Sequence, residues 1–199
     1  RLPEEGEFPQ IHPPYVQKPA EDWNVYERDP ERLNRYWATP GMPGYEHRIG
    51  GLEKDELTGA VSYDHHNHDK MVRLRQEKIE KVADFIPKLE VHGNQDADLL
   101  IVGWGGTFGH LYTALEQLQE EGHKLALAHF SYLRPLPRNS YEVLKRYSKI
   151  VVCELNLGQF ACYLRSQFPD IEFLQYNKVE GLPFTVKELK NHFQKRLEV

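Results

Sequence analysis

The sequence predicts an α/β fold, with an open, mainly parallel sheet, helices on both of its faces, and a preceding extended arm rich in proline and aromatic residues. In the second half of the chain, short apolar runs alternate with amphipathic stretches of helical length. Strands separated by helices pair in parallel through right-handed crossovers. Most prolines, by contrast, lie before residue 70. We therefore expect three parts: an arm or connector at 1–70, a helix and linker at 71–94, and an α/β domain at 95–199.

The predicted arm has no sustained period of either 2 or 3.6 residues, although it is rich in aromatic side chains. These are Phe8, Tyr15, Trp23, Tyr26, Tyr36, Trp37 and Tyr45. A disordered tail is normally poorer in such residues, because Trp and Tyr favour burial that offsets the entropy lost on ordering. We expect an ordered arm that wraps over the following domain or over another chain.

Apolar residues then recur at helical spacing, which predicts a helix from Asn67 to Phe85. They are Met71, Leu74, Ile79, Val82 and Phe85. Asp64 or Asn67 is available as the N-cap, and Pro87 ends the helix.

Four strand and helix pairs follow in the α/β domain. The predicted strands are 99–103, 124–129, 149–154 and 172–176, and the predicted helices are 109–121, 140–147, 158–167 and 185–197. Open sheets of this kind meet ligands and partners at the carboxyl ends of their strands. The turns after the strands are therefore the first places to look for a site.

Composition argues against several classes of protein. A net charge of −5 leaves no basic surplus to neutralise phosphates, so we expect no nucleic-acid partner. No apolar run approaches the roughly 18 residues of a membrane span, and the N-terminus lacks a signal-peptide pattern. With only 2 cysteines, a cytoplasmic location fits best. Because the first residue is Arg1 rather than Met, we expect that further sequence precedes it in the natural polypeptide.

A glycine-rich turn, Gly103–Gly109, follows the first predicted strand, and Thr107 within it is available to cap the next helix. Glycines at such a turn let backbone approach an anion at the helix N-terminus. However, the spacing differs from the dinucleotide fingerprint, and 124–128 offers no acid for a ribose. A tight turn or an interface loop is favoured over a nucleotide site, and the candidate residues are Gly103, Gly105 and Gly109.

A second candidate turn begins at Glu154. Glu154, Asn156 and Gln159 can bond a substrate or order a partner loop, whereas Asn156 can equally cap the helix after Gly158. His129 ends the strand before and is either a titrating site residue or a structural histidine. No spacing indicates a nucleophile, so we expect no catalytic residue in this chain.

The segment Asp64–Asp69 contains three histidines and two aspartates. His65 and His68 would hold zinc or nickel if the fold brought them together. Histidines this close at a helix entry more often face solvent, so we expect no metal site. Cys153 and Cys162 are predicted to be small core residues.

Several segments, in order along the chain, match one known pattern. They are Thr39–Glu53, Ser62–Asp64, Asn67–His68, Gly103–Gly105 with Gly109, Leu133–Pro137, Glu154–Gln159 and Tyr176–Phe184. Together they resemble the C-terminal part of the alpha subunit of 2-oxoacid:ferredoxin oxidoreductases, with 2-oxoglutarate as the expected substrate. Each match is weak alone, whereas the ordered set is specific.

The resemblance implies a transketolase C-terminal-like fold for the α/β domain. It implies a thiamine-dependent enzyme that decarboxylates a 2-oxoacid, passes the acyl unit to coenzyme A, and sends electrons through iron–sulfur clusters to ferredoxin. The expected partners are the beta subunit, the subunit's own upstream domains and ferredoxin. Thiamine pyrophosphate, magnesium, coenzyme A and the iron–sulfur cluster belong to the full complex, and we expect this chain alone to bind none of them.

The same resemblance implies that this part of the subunit is a structural and assembly domain whose loops border the active site. The implied loops are Glu46, His47 and Arg48, and the segment from Asn156 to Gln159. His66 and Gly106 are small departures from the family pattern. The isolated chain is expected to be inactive, and the alternative is a free-standing small-molecule or nucleotide-binding α/β module.

Overall fold

The computed structural model describes residues 2–8 and 10–198, without the side chain of Glu5. Arg1, Pro9 and Val199, which the predicted parts include, lie outside the described residues. The chain forms two compact units, Arg1–Val82 and Ala83–Val199. The three-part division at 1–70, 71–94 and 95–199 stays a prediction.

The regular elements are concentrated in the second unit. The helices are α1 (His65–Lys81), α2 (Phe108–Glu120), α3 (Ser140–Leu144), α4 (Gln159–Gln167) and α5 (Val186–Leu197). The strands are β1 (Val91–Gly93), β2 (Leu99–Trp104), β3 (Leu125–Phe130), β4 (Ile150–Glu154) and β5 (Leu174–Asn177). Short 3-10 turns lie at Glu5–Glu7, Ala20–Asp22, Val82–Asp84 and Gly105–Thr107.

The first unit is mostly irregular backbone apart from α1. Isolated bridges join Tyr15 to Trp37, Arg28 to Arg35, and Lys54 to Val61. Its buried apolar side chains are Val16, Leu33 and Met71. Irregular backbone agrees with the missing sequence period, whereas an extended arm that wraps over a partner stays a prediction.

At the start of helix α1, the side chains of Asp64 and Asn67 form hydrogen bonds with backbone groups. The Asp64 side chain caps it by accepting the N–H of His66 at 2.9 Å. Asn67, the other candidate cap, instead donates to the carbonyl of Lys54 and accepts the N–H of Glu56, at 2.8 and 3.0 Å. The helix therefore starts two residues before the predicted position, and it ends at Lys81.

The sheet of the second unit has the strand order β1-β3-β2-β4-β5. Strand β1 runs antiparallel to β3, and the other neighbours are parallel. In register, Leu100 lies between Ala126 and Ile150. The carboxyl ends of β3, β2 and β4 are consequently neighbours along one edge of the sheet.

Alternate side chains of the strands point to opposite faces, and helices cover both. One face packs Leu100, Val102 and Val152 against α3 and α4 through residues such as Phe160. The other packs Leu99, Ile101 and Val151 against α2 and α5 through residues such as Phe193. The prediction of an open, mainly parallel sheet with helices on both faces is confirmed.

The structure corrects three details. The sequence does not predict strand β1. The strand has three residues, none of them fully buried, and therefore shows little hydrophobic periodicity. Helix α3 ends at Leu144, earlier than expected. The prediction that Cys162 is a core residue is wrong: it is exposed, because α4 buries Phe160, Ala161 and Leu164 on its other side.

Candidate functional site

The candidate site lies at the carboxyl ends of β2, β3 and β4. The predicted site residues between Gly103 and Gln159 lie at or after these strand ends. At its centre, Glu154 ends β4 with a fully buried side chain. A buried carboxylate is costly unless its oxygens accept hydrogen bonds. Its surroundings therefore show what holds this edge together.

Glu154 accepts three hydrogen bonds. Oε1 accepts the Phe160 N–H at 2.8 Å and the Trp104 indole N–H at 3.2 Å, and Oε2 accepts the Ala161 N–H at 3.0 Å. Two of the otherwise free N–H groups at the start of α4 are thus paired with a negative charge, which the helix dipole also favours. The third bond ties the end of β4 to the end of β2.

The turn after β4 is closed by Asn156. Its Oδ1 accepts the N–H groups of Gly158 and Gln159 at 2.7 and 3.2 Å. Gly158 adopts φ 94°, a left-handed conformation that glycine allows without strain. The Asn156 side-chain oxygen is thus occupied by this turn, and a contact of Asn156 with a substrate or a partner loop stays a prediction.

The turn after β2 is closed by Thr107. Thr107 Oγ1 accepts the Trp104 N–H at 3.2 Å and donates to the Trp104 carbonyl at 2.8 Å, and it does not cap α2. Gly103 leaves room for this turn, because a Cβ there would lie 2.2 Å from Leu111 Cδ1 and 2.9 Å from Thr107 Oγ1. A Cβ at Gly105 or Gly109 would meet nothing within 4 Å, so those two glycines face open space.

His129 lies beside this turn, near the end of β3. The Phe108 ring packs edge-on against its imidazole, with centroids 5.1 Å apart. Burial lowers the pKa of His129, although backbone hydrogen bonding at Gly105 opposes the shift. Its Nε2 is buried without a hydrogen-bond partner in the part of the chain described. The ring packing favours a structural role for His129, and its role as a site residue stays a prediction.

Glu46, His47 and Arg48 belong to the first unit, where all three are exposed. His47 Nδ1 lies 2.8 Å from the Tyr45 carbonyl, and its ring packs edge-on against Trp23 at 5.1 Å. His47 also lines a cavity of about 210 Å³ whose walls include aromatic side chains. Their role as residues bordering an active site stays a prediction.

Two histidines at the start of α1 contact carboxylates. His68 Nδ1 lies 2.7 Å from Glu53 Oε2, and the Arg75 guanidinium reaches Glu53 Oε1 at 3.2 Å. Arg75 first, and then His68, lower the pKa of Glu53 to about 2. His65 contacts Asp64 instead, with 3.4 Å between Nδ1 and Oδ1. The structure therefore does not bring His65 and His68 together around an ion.

Two further observations concern the described part of the chain as a whole. No group of three or more His, Cys, Asp or Glu side chains within it is arranged to hold a metal ion. No helix within it combines the length and apolarity that a membrane crossing requires.

Sequence reasoning missed two contributors to this edge. Trp104 was passed over as part of a glycine turn, and its bond to Glu154 joins residues 50 positions apart. Thr107 is available as a cap of α2 in the sequence, whereas in the structure it closes the turn onto Trp104. An aromatic donor directly after a strand was the available signal for Trp104, whereas nothing in the sequence indicates its partner.

The N-terminus of α4 has little left to offer an anion. The N–H groups of Gln159, Phe160 and Ala161 all bond to side-chain oxygens of Asn156 or Glu154. A phosphate would have to displace a buried carboxylate of the same charge sign. The geometry of this turn therefore argues against nucleotide binding at the start of α4.

Comparisons with known proteins agree with this picture. Residues 97–189 match the family model described as pyruvate:ferredoxin oxidoreductase core domain II. The chain is 44% identical over 190 residues to the 2-oxoglutarate oxidoreductase subunit KorA of Mycobacterium tuberculosis, covering 95% of this chain and 28% of that protein. It is 32% identical over 158 residues to the alpha subunit of 2-oxoacid:ferredoxin oxidoreductase 2 of Aeropyrum pernix, covering 75% and 24%.

A solved structure matches as well. The 2-oxoglutarate:ferredoxin oxidoreductase from Magnetococcus marinus, with 2-oxoglutarate, coenzyme A and succinyl-CoA bound, superimposes with a TM-score of 0.86 at 31% identity. The match covers 98% of this chain and 34% of that one. The chain thus spans 24% to 34% of the length of these three relatives. The chain is homologous to the alpha subunits of the 2-oxoacid:ferredoxin oxidoreductase family and corresponds to their C-terminal part.

Proposed function

We propose that this chain works as the C-terminal part of the alpha subunit of a 2-oxoglutarate:ferredoxin oxidoreductase. Such a complex decarboxylates the 2-oxoacid oxidatively, forms the acyl-CoA, and passes electrons to ferredoxin. The observation that carries the proposal is the 44% identity to the mycobacterial 2-oxoglutarate oxidoreductase subunit over 95% of this chain. The ligands bound to the Magnetococcus marinus enzyme support the choice of 2-oxoglutarate and coenzyme A as ligands of the complex.

Within that complex the chain has a structural and assembly role. At the sheet edge, Glu154, Asn156 and Thr107 use their polar atoms to hold loops in place. His129 is packed by rings and disfavours a charge. The chain therefore supplies shaped loops that border the active site, and the reacting groups belong to other parts of the assembly.

Two of the cofactors of the complex, the iron–sulfur cluster and magnesium, find no fitting set of ligands among the residues described here. The sequence contains 2 cysteines, whereas iron–sulfur clusters are typically held by four thiolates. Magnesium with a diphosphate needs oxygen ligands gathered at one point, and the described residues gather none. We propose that thiamine pyrophosphate, magnesium, coenzyme A and the iron–sulfur cluster are held mainly by the rest of the assembly.

The proposed partners follow from the same homology. They are the beta subunit, the other domains of the alpha subunit, and ferredoxin as electron acceptor. Both cysteines are free, which is consistent with a reducing cytoplasmic compartment as the working location.

The test is turnover by the reconstituted complex. The alpha subunit expressed from its full reading frame, together with its beta subunit, is expected to reduce a viologen acceptor when 2-oxoglutarate and coenzyme A are both supplied. Omission of either substrate should abolish reduction, and pyruvate in place of 2-oxoglutarate should support less of it. Turnover by the 199-residue chain alone, or a complex inert toward every 2-oxoacid, would contradict the proposal.

A further inference from the structure

We propose that four exposed apolar side chains at the sheet edge form the surface on which the other domains of the alpha subunit dock, within the same polypeptide. This inference rests on the proposed function. The four side chains, called the edge surface below, are Phe108, Tyr132, Leu155 and Leu157. Their exposed fractions are 39%, 45%, 41% and 79% in that order.

The four residues of the edge surface follow the ends of three adjacent strands. Phe108 comes after β2, Tyr132 after β3, and both leucines after β4, in a sheet where β3, β2 and β4 are neighbours. The Phe108 ring packs on His129 of β3. The Trp104 indole of β2 bonds to Glu154, immediately before Leu155.

Leu157 is the anchor of this surface because its loop is held rigidly. Asn156 Oδ1 accepts the N–H groups of Gly158 and Gln159. Glu154 accepts the next two, those of Phe160 and Ala161. A side chain presented by a fixed loop loses little conformational entropy on binding. A few well-placed side chains usually carry most of an interface's binding energy.

Beside Phe108 the surface consists of glycines without crowding neighbours. A Cβ added at Gly105, Gly106 or Gly109 would meet nothing within 4 Å. Glycines without crowding neighbours allow the backbone of a partner to approach closely. The N–H groups of Gln159, Phe160 and Ala161 at the start of α4 are already bonded to side chains, which favours an apolar protein surface over an anion as the occupant.

The size of the surface favours a tethered partner. Four side chains exposed to this extent offer on the order of 300–400 Å², below the roughly 800 Å² that each partner of a stable complex usually buries. An interface of this size is ordinary between domains of one chain, where tethering raises the effective concentration. The mycobacterial relative has the remaining polypeptide, because this chain covers only 28% of it.

The experiment is amide hydrogen exchange of residues 105–109 and 154–159. It compares the 199-residue chain with the full alpha subunit, with and without the beta subunit. We expect exchange in the full subunit to be slower by about tenfold even without the beta subunit. Leu157→Asp should remove that protection, whereas Leu157→Met, which keeps an apolar side chain of similar volume, should retain it.

A thermal melt of the 199-residue Leu157→Asp chain checks that it folds, which its 79% exposed side chain leads us to expect. Equal protection in wild type and Leu157→Asp overturns the proposal. Protection that appears only with the beta subunit also overturns it, since the surface would then bind another chain. Turnover of 2-oxoglutarate in the same preparations separates the two proposals: an inert complex with Leu157-dependent protection overturns the proposed function alone.

Discussion

Glu154 shows at the scale of one residue how the edge of the sheet is held. Its carboxylate satisfies three donors from two elements while lying fully out of solvent. Replacing it removes the acceptor and leaves all three donors behind, two of them on the backbone at the start of α4. Buried donors left without partners cost more than the hydrogen bonds themselves.

Glu154→Ala is therefore expected to lower the free energy of unfolding by about 3 kcal/mol. Urea denaturation of the 199-residue chain measures the change. Glu116→Ala, at an exposed position of α2, is the control and should stay within about 0.5 kcal/mol of wild type. A similarly small effect at Glu154 would mean that water can replace its carboxylate.

Gly103 and Gly109 provide a matched pair of glycine substitutions with opposite expected signs. Gly103→Ala places a Cβ 2.2 Å from Leu111 Cδ1 in a closed core, so we expect a loss of about 1–3 kcal/mol. Gly109→Ala meets nothing and lies within α2, so a gain of about 0.5 kcal/mol is expected from helix propensity. Denaturant melts of both variants test this, and the same sign for both would contradict it.

Helix α5 packs against β5 through a stack of aromatic rings. His192 lies parallel to Tyr176 with centroids 3.9 Å apart, and Tyr176 stacks on Phe184 at 5.4 Å. Burial, and then the charges of Arg196 and Lys195, lower the pKa of His192 below its ordinary value of 6.5. Its Nε2 is buried without a partner in the described part of the chain.

A histidine whose pKa is lower in the folded than in the unfolded protein does not reduce stability at pH values above its unfolded-state pKa. As the pH falls from that pKa toward the folded-state pKa, the unfolded chain takes up the proton first and the folded state loses stability. We expect the free energy of unfolding to fall from about pH 6.5 downward, with His129 adding a change of the same sign. His192→Phe should flatten this dependence in urea melts at several pH values. His66→Gln, at an exposed position of α1, should leave the slope as it is.

The two units of the molecule differ in the size of their apolar cores. Both apolar core clusters lie inside Ala83–Val199, whereas Arg1–Val82 buries only three apolar side chains among those described. A domain needs a core of its own to fold independently. The second unit meets that condition within its own sequence.

We expect residues 83–199, expressed alone, to show native helix content and a cooperative thermal transition. Residues 1–82 alone should melt without a sharp transition. Circular dichroism of the two fragments measures both outcomes. A cooperative first unit, or an unfolded second unit, would show that the apolar clusters do not decide folding.

Local patterns in the sequence were enough for the α/β class, because the apolar runs at Leu99–Val102 and Ile150–Cys153 and the helical stretches between them need no distant partner to be recognised. The ordered family segments likewise led to the homologous subunit. Contacts between distant residues decided the rest. Glu154 finds Trp104 only when β2 and β4 become neighbours, and Cys162 faces solvent only because α4 packs through its other side. Such pairings depend on three-dimensional proximity, which residue type and spacing along the chain do not encode.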